Sequence, residues 1–355
     1  MIKSTLRLIT SGVLVVFTVL TVLAARLLPG FFFSFYPAFS RWAVGALSTL
    51  TSVVPFALCE ILLFGLLLWF VASLIAAIVR RRMVRWLTGL LLLVCVLGAA
   101  FVNLWGLNYF APKMQTRMEL PIKQYTTAQL RQATEYYLQM ANQTAPLVER
   151  DENGKMLPQD FSALAEQAGE GYETLAKRFP CFDGVTVRVK PLLLGKLSVS
   201  AGSTGVFICL TGESCVSKLT YTASLPFTMC HEIGHRMAFA REDEANFAGY
   251  LACEVSSYPA FRYSGYYNAF VYCYNALNEV DATAAAEVMS ACGAELAADL
   301  NAAVAHYDEL HDETLSAAGD KVYDTYLKTF SVQSGVQSYG EVTDLLLTWY
   351  FEELQ

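Results

Sequence analysis

The 355 residues are 55% hydrophobic and only 16% charged, where a soluble domain carries roughly 25% charged residues, so the composition argues against a wholly soluble chain. The charge is divided: residues 1–107 hold eight Lys/Arg against the single acid Glu60, net +7, and the remainder is net −14. A basic, apolar part (1–110) followed by an acidic, more polar part (111–355) reads as a membrane anchor joined to a domain, and the acidic balance excludes a nucleic-acid partner, whose phosphates it would repel.

Leu6 to Leu28 is an apolar run of about the 20 residues that cross a hydrocarbon core, preceded by Lys3 and Arg7. It is longer than the apolar region of a cleaved signal peptide, and further spans follow, which favours a retained span. Phe31-Phe32-Phe33-Ser34-Phe35-Tyr36-Pro37 is an aromatic cluster suited to a membrane–water interface, and Phe39 to Val53 suits a short helix lying on that surface. Pro55 to Val79 is a second span, ending at Arg80, Arg81, Arg82 and Arg85, and Leu87 to Leu107 a third, flanked by Trp86 and Trp105. The positive-inside rule puts the arginines in the cytoplasm. The expectation is a multi-pass protein of the plasma membrane, in contact with the lipid bilayer, with everything after Asn108 outside. Glu60 falls within the second span, a turn or so from its outer end, where a solvated or paired carboxylate is expected. Three spans without repeated intramembrane polar groups do not make a transporter.

Ala111-Pro112 breaks the third helix and starts a polar stalk. Helices are expected over Thr126 to Ala145 and, capped by Asp160, to Phe179 before Pro180. Val185 to Val189 alternates as a strand does, Val206 to Leu210 reads as the next strand, and Thr211-Gly212-Glu213-Ser214 turns the chain back. A strand so close to a catalytic-looking helix could take a peptide along its edge, or be plain core.

That helix opens at Ser224 or Leu225 with Pro226 in its first turn, and carries Cys230-His231-Glu232-Ile233-Gly234-His235. In His-Glu-x-x-His the two histidines project from one helical face and reach one zinc ion, and the glutamate can act on water beside it. Two of the chain's four histidines lie in this motif. Such a site wants a third protein ligand from a neighbouring element.

Immediately downstream runs Glu242-Asp243-Glu244-Ala245-Asn246-Phe247-Ala248. It is similar to the Glu-x-Glu-Ala-Asn run of small zincins of the phage-repressor-cleaving kind. It also resembles the Glu-x-x-x-Asp of thermolysin-like zincins and the Glu-x-x-Ala-Asp of prenyl-protease and heat-shock membrane peptidases. The whole arrangement resembles a bacterial domain-of-unknown-function family of membrane-anchored zincin-like proteins. The resemblance implies a three-span helical anchor plus an α+β zincin-like metallopeptidase domain, mostly helical with a small sheet. It implies Zn2+ held by His231, His235 and Glu242, with Asn246 supporting a ligand histidine. Asn for Asp is a departure, and so is the short His235–Glu242 spacing, which needs a sharp turn at Ala240-Arg241. Glu244 is the competing ligand; two residues on, it points about 200° around the helix, so both cannot face one ion.

On this reading Glu232 is the general base and Tyr263 the donor to an oxyanion, with Arg262, His306 and His311 as further candidates. The substrate is a peptide or protein. The alternative is a zinc-binding membrane sensor or envelope-interaction protein with little or no catalysis. Asn268 to Leu277 reads as an aromatic helix under the site, Ala282 to Ser316 as exposed helices, and Glu341 to Phe351 as a helix too short to span that docks on the domain. The Ser334–Tyr339 loop is a candidate cleft lining. The cysteines sit in apolar settings as free thiols, with Cys209 and Cys215 the one pair suspected of bonding.

Overall fold

The computed structural model describes residues 2–121, 123–317, 321 and 339–355. The chain is mostly helical, with one small three-stranded sheet. Three helices, Ile2–Leu27, Leu58–Val79 and Met83–Leu104, are long and apolar enough to cross a membrane, close to the spans expected from hydropathy. Several of their polar side chains bond between helices. Between the first and third, the Thr21 hydroxyl donates to Asn103 Oδ1 at 2.7 Å, and Asn103 Nδ2 donates to Thr18 Oγ1 at 3.2 Å. At the basic end Arg7 donates to the Arg85 carbonyl at 2.8 Å.

The helix expected on the membrane surface runs Tyr36–Thr51 and does more than lie there. One face buries Ser40, Val44 and Ser48, with Ser40 Oγ donating to the Leu104 carbonyl at 2.7 Å. Val44 shares an apolar cluster with Trp105, Tyr109, Cys209 and Ala240, so anchor and domain meet in a packed joint. The polar stalk expected after Pro112 is likewise packed: Met114 and Gln115 are buried in a short helix Met114–Arg117.

The sheet runs β1 (Lys190–Pro191), β3 (Glu213–Val216), β2 (Gly205–Ile208), with β1 parallel and β2 antiparallel to β3. The strand expected at Val185–Val189 does not form; β1 begins only at Lys190. The Val187 carbonyl is taken by the Arg236 guanidinium rather than by a neighbouring strand. Glu213 and Ser214, expected in the turn, already belong to the central strand Glu213–Val216, which is buried throughout.

This strand holds the start of the helix Leu58–Val79. Glu213 accepts hydrogen bonds from Leu58 N at 2.9 Å, Cys59 N at 2.7 Å and Lys190 Nζ at 2.6 Å. The first two are unpaired donors at the start of Leu58–Val79, where a carboxylate is favoured by the helix dipole. Burial pushes the Glu213 carboxyl up, but Lys190 and the Leu58 N–H outweigh it and hold it below the usual range. Lys190 also donates to the Thr51 carbonyl at 2.6 Å. Glu60, one turn into the same helix, accepts from Leu193 N at 2.6 Å and Leu194 N at 2.9 Å. The intramembrane acid of the sequence is thus paired, with backbone.

The remaining helices build the domain core. Thr127–Thr144, opened by a capping box at Thr126 and Gln129, packs on Pro259–Val280. The helix expected from Asp160 to Phe179 is two, Phe161–Gln167 and Glu170–Ala176. The last helix, Tyr339–Trp349, docks as expected, with Trp349 Nε1 donating to Glu254 Oε2 at 2.9 Å. The Ser334–Gln337 part of the candidate cleft loop, with Ser338, lies outside the described residues. All nine cysteines are free, so Cys209 and Cys215 do not bond; the sulfur nearest Cys215 is that of Cys59 in the membrane helix, at 4.0 Å.

Lys190 and Glu213 are a buried ion pair, with side chains 4% and 0% exposed. Removing one partner by Glu213→Gln or Lys190→Met is expected to cost about 3–5 kcal/mol, because it strands a buried charge or its donors. Thermal unfolding of the detergent-solubilised full chain reads this; a change under about 1 kcal/mol in both variants contradicts it.

Candidate metal centre

The motif helix is Leu225–Arg236, with Pro226 in its first turn as expected; Ser224 is its N-cap but makes no side-chain cap bond. It is buried nearly all round, Met229, Cys230 and Ile233 included, and a second helix, Glu242–Glu254, crosses against it. Two glycines set the closeness of that crossing. A Cβ on Gly234 would meet Ala245 O at 3.3 Å, and one on Gly249 would meet His231 N at 3.1 Å. Between the helices the chain reverses through Ala238, a non-glycine residue at φ 67°. Its N–H donates to the His235 carbonyl at 3.0 Å, and Phe239 N donates to the Gly234 carbonyl at 3.2 Å, closing the helix end. The sharp turn expected at Ala240-Arg241 therefore begins two residues earlier.

Reversal places Glu242 at the first position of the second helix, over the two histidines. Glu242 Oε2 lies 3.3 Å from His231 Nε2, and Oε1 lies 3.4 Å from His235 Nε2. Ionic hydrogen bonds of this kind close to about 2.7–2.9 Å. Ligands about 2.0–2.2 Å from a tetrahedral zinc stand about 3.3–3.6 Å apart, and these separations fall in that range. One ligand atom from each of the three residues lies within 4.8 Å of the others.

The tautomers agree with this donor set. His235 Nδ1 is 2.8 Å from the Phe239 carbonyl, which can only accept, so Nδ1 carries a proton and Nε2, which faces Glu242, is the nitrogen left to bind an ion. His231 Nδ1 is buried with no partner. Burial lowers the His235 pKa, but Glu242 outweighs it and lifts the imidazole to about 9. Glu232 is 3% exposed, and one carboxylate oxygen, Oε2, has no partner. Burial pushes its carboxyl up to about 7, against the pull of His231 and His235. Its other oxygen lies against β2, where a Cβ on Gly205 would stand 2.4 Å from Oε1. The Ser214 hydroxyl donates to the Glu232 carbonyl at 2.7 Å, fixing the motif helix to β3. Two imidazoles, a carboxylate and a further unpaired carboxylate oxygen fit a divalent, borderline-soft ion such as zinc.

Glu244 is elsewhere. Its Oε1 accepts from Met114 N at 2.7 Å and its Oε2 from Arg117 Nη2 at 3.0 Å, so it ties the chain after the third membrane helix to the domain. Asn246 is buried but bonds to neither imidazole among the described contacts; the Phe239 carbonyl holds His235 in its place. Tyr263 is fully buried, donating to Asp299 Oδ2 at 2.5 Å under the Arg150 guanidinium. Tyr221 and Met156 N complete that network at Asp299 Oδ1. Tyr263 is spent on the core and is not an oxyanion donor. His306 Nε2 donates to the Leu219 carbonyl at 2.7 Å, and no described contact carries Arg262 or His311 to the cluster.

Two residues beside the cluster were not singled out for it. Trp105, at the end of the third membrane helix, donates Nε1–H to the His235 carbonyl at 3.0 Å, with its ring edge-on to the imidazole. Phe207 on β2 stacks on the same imidazole at 6.4 Å. Trp105 is legible in sequence only as an interfacial aromatic, and Phe207 only as a strand residue.

The model of the family described as protein of unknown function (DUF3810) matches residues 34–347, and the chain belongs to that family. No curated protein and no solved structure matches it.

The geometry separates the two acids. Glu242→Gln is expected to lower zinc affinity at least about 100-fold, while Glu244→Gln keeps one zinc per chain and loses stability instead. Zinc content by mass spectrometry after dialysis checks this; the reverse pattern makes Glu244 the ligand.

Proposed function

We propose that this member of the family is a membrane-anchored zinc metallopeptidase with a zincin-like C-terminal domain, hydrolysing peptide bonds outside the cytoplasm. The observation that carries the reading is the convergence of His231, His235 and Glu242 beside a buried Glu232 with an unpaired carboxylate oxygen. Zinc held by those three residues would supply Lewis acidity, making water nucleophilic at neutral pH and polarising a carbonyl.

The protein's own groups supply the rest. Glu232 Oε2 is the free base; it takes the proton of the attacking water and returns it to the amide nitrogen that leaves. Burial raises this carboxyl above the usual carboxylate range, which makes it a stronger base. The Phe239 carbonyl and the Trp105 N–H fix the imidazole and the helix end of His235, so the donor set is held without rearrangement. β2 is an outer strand of the sheet, next to Glu232 at Gly205. An extended peptide adding to that edge would bring its backbone to the base.

Orientation follows from charge. Arg80, Arg81, Arg82 and Arg85 lie at the end of the membrane helices away from the domain. The positive-inside rule puts that end in the cytoplasm. A C-terminal alkaline phosphatase fusion is expected to be active and a fluorescent cytoplasmic reporter dark; the opposite pair of results places the domain inside.

For the chemistry, purified full-length Glu232→Gln is expected to keep its zinc and to lose peptide cleavage by about 10²–10⁴-fold. Zinc bound with equal cleavage by both proteins would sink the mechanism.

A further inference from the structure

Leu193, Leu194 and Leu197 are 54%, 39% and 52% exposed. They stand together where the chain leaves β1 and enters the short helix Gly195–Ser200. Burying Gly195 and Val199 turns the leucines and Lys196 outward. Three large apolar side chains turned outward from one short segment ask for an apolar partner.

Their depth is set by Glu60. Its carboxylate accepts the N–H groups of Leu193 and Leu194 at 2.6 and 2.9 Å, and it is the third residue of the 22-residue helix Leu58–Val79. Twenty-two helical residues reach about 33 Å, against a hydrocarbon core of about 30 Å. There is little slack, so the first turn of this helix stands at the hydrocarbon boundary. A loop bonded to that turn stands at the same level. Glu213 holds the neighbouring Leu58 and Cys59 N–H groups from β3, so the loop cannot swing away without opening a second buried contact.

The neighbouring surface is of one kind with it. The helix Tyr36–Thr51, which reaches β1 through Lys190 and the Thr51 carbonyl, exposes Trp42 and Leu50 at 70% and 69% on the side away from the domain. Lys196 lies between the leucines; its long stem can follow them while the ammonium reaches the phosphate level.

We propose that Leu193, Leu194 and Leu197 are a membrane-docking element, inserted among the phospholipid acyl chains of the leaflet that the domain faces. This element is separate from the three spans and rests on the reading that those helices lie in a bilayer. It holds the sheet, and with it Gly205 and Glu232, at a fixed height above the lipid.

The test uses the full chain in nanodiscs of phosphatidylcholine and phosphatidylglycerol, with p-benzoylphenylalanine placed singly at four exposed leucines. Leu193 and Leu197 probe the patch, Leu68 in the middle of Leu58–Val79 reports the bilayer, and Leu147 reports the domain surface away from it. After irradiation, lipid adducts by mass spectrometry are expected at Leu193 and Leu197 at the Leu68 level and about tenfold above Leu147. Adducts at Leu68, with Leu193 and Leu197 both at the Leu147 level, overturn the docking element and leave the spans standing. No adduct at Leu68 overturns the bilayer placement itself, and the element with it.

Discussion

Glu213 is where membrane and domain are made one object. A carboxylate with no exposed side-chain surface would cost several kcal/mol to bury alone, and here three donors meet it from two directions. Two are the first N–H groups of a membrane helix and the third is Lys190 on the adjacent strand. Neither partner can leave without stranding the others, so the register of β3 is fixed to the start of Leu58–Val79. β3 in turn holds the motif helix through Ser214 and the Glu232 carbonyl, and holds β2, whose Gly205 faces the Glu232 carboxylate. Glu232, the base of the proposed mechanism, is thus positioned from the start of Leu58–Val79. Trp105 makes the second reference point, donating to the His235 carbonyl at the end of the motif helix.

The cluster itself depends on backbone more than on side chains. Glu242 follows His235 closely, and a connection that short works only because Ala238 accepts a left-handed conformation, at about 1–2 kcal/mol for a residue with a Cβ. The same reversal brings the Phe239 carbonyl to His235 Nδ1. In one step the turn brings Glu242 to the two histidines and gives His235 Nδ1 its acceptor. A carbonyl orients an imidazole without the full charge of an aspartate, which is why Asn at 246 can stay out of the network.

What the sequence made legible follows the range of the interactions involved. The spans depend on local hydropathy and length, and their limits are read within a few residues. His231, His235 and Glu232 share one helical turn, so spacing suffices. Choosing Glu242 over Glu244 was beyond spacing, because the deciding contacts come from Met114 and Arg117, far back in the chain. Tyr263 looked available because its partner, Asp299, sits on another helix with no motif around it. Val185 to Val189 has strand composition, but its backbone is claimed by a buried arginine from the motif helix. In each case a distant polar group overrode a sound local pattern.

The buried polar atoms left without partners point the same way. Ten side-chain atoms are in this state among the described residues, and His231 Nδ1, Glu232 Oε2 and Arg236 Nε are three of them, within six consecutive positions. Two more belong to Arg117, which holds Glu244, and another to Arg241, which precedes Glu242. Each such atom costs about 1–3 kcal/mol, whereas the buried Asp299 carboxylate accepts from Arg150, Met156 N, Tyr221 and Tyr263. Among the unpaired atoms Glu232 Oε2 is the one that the proposed mechanism uses, as its base.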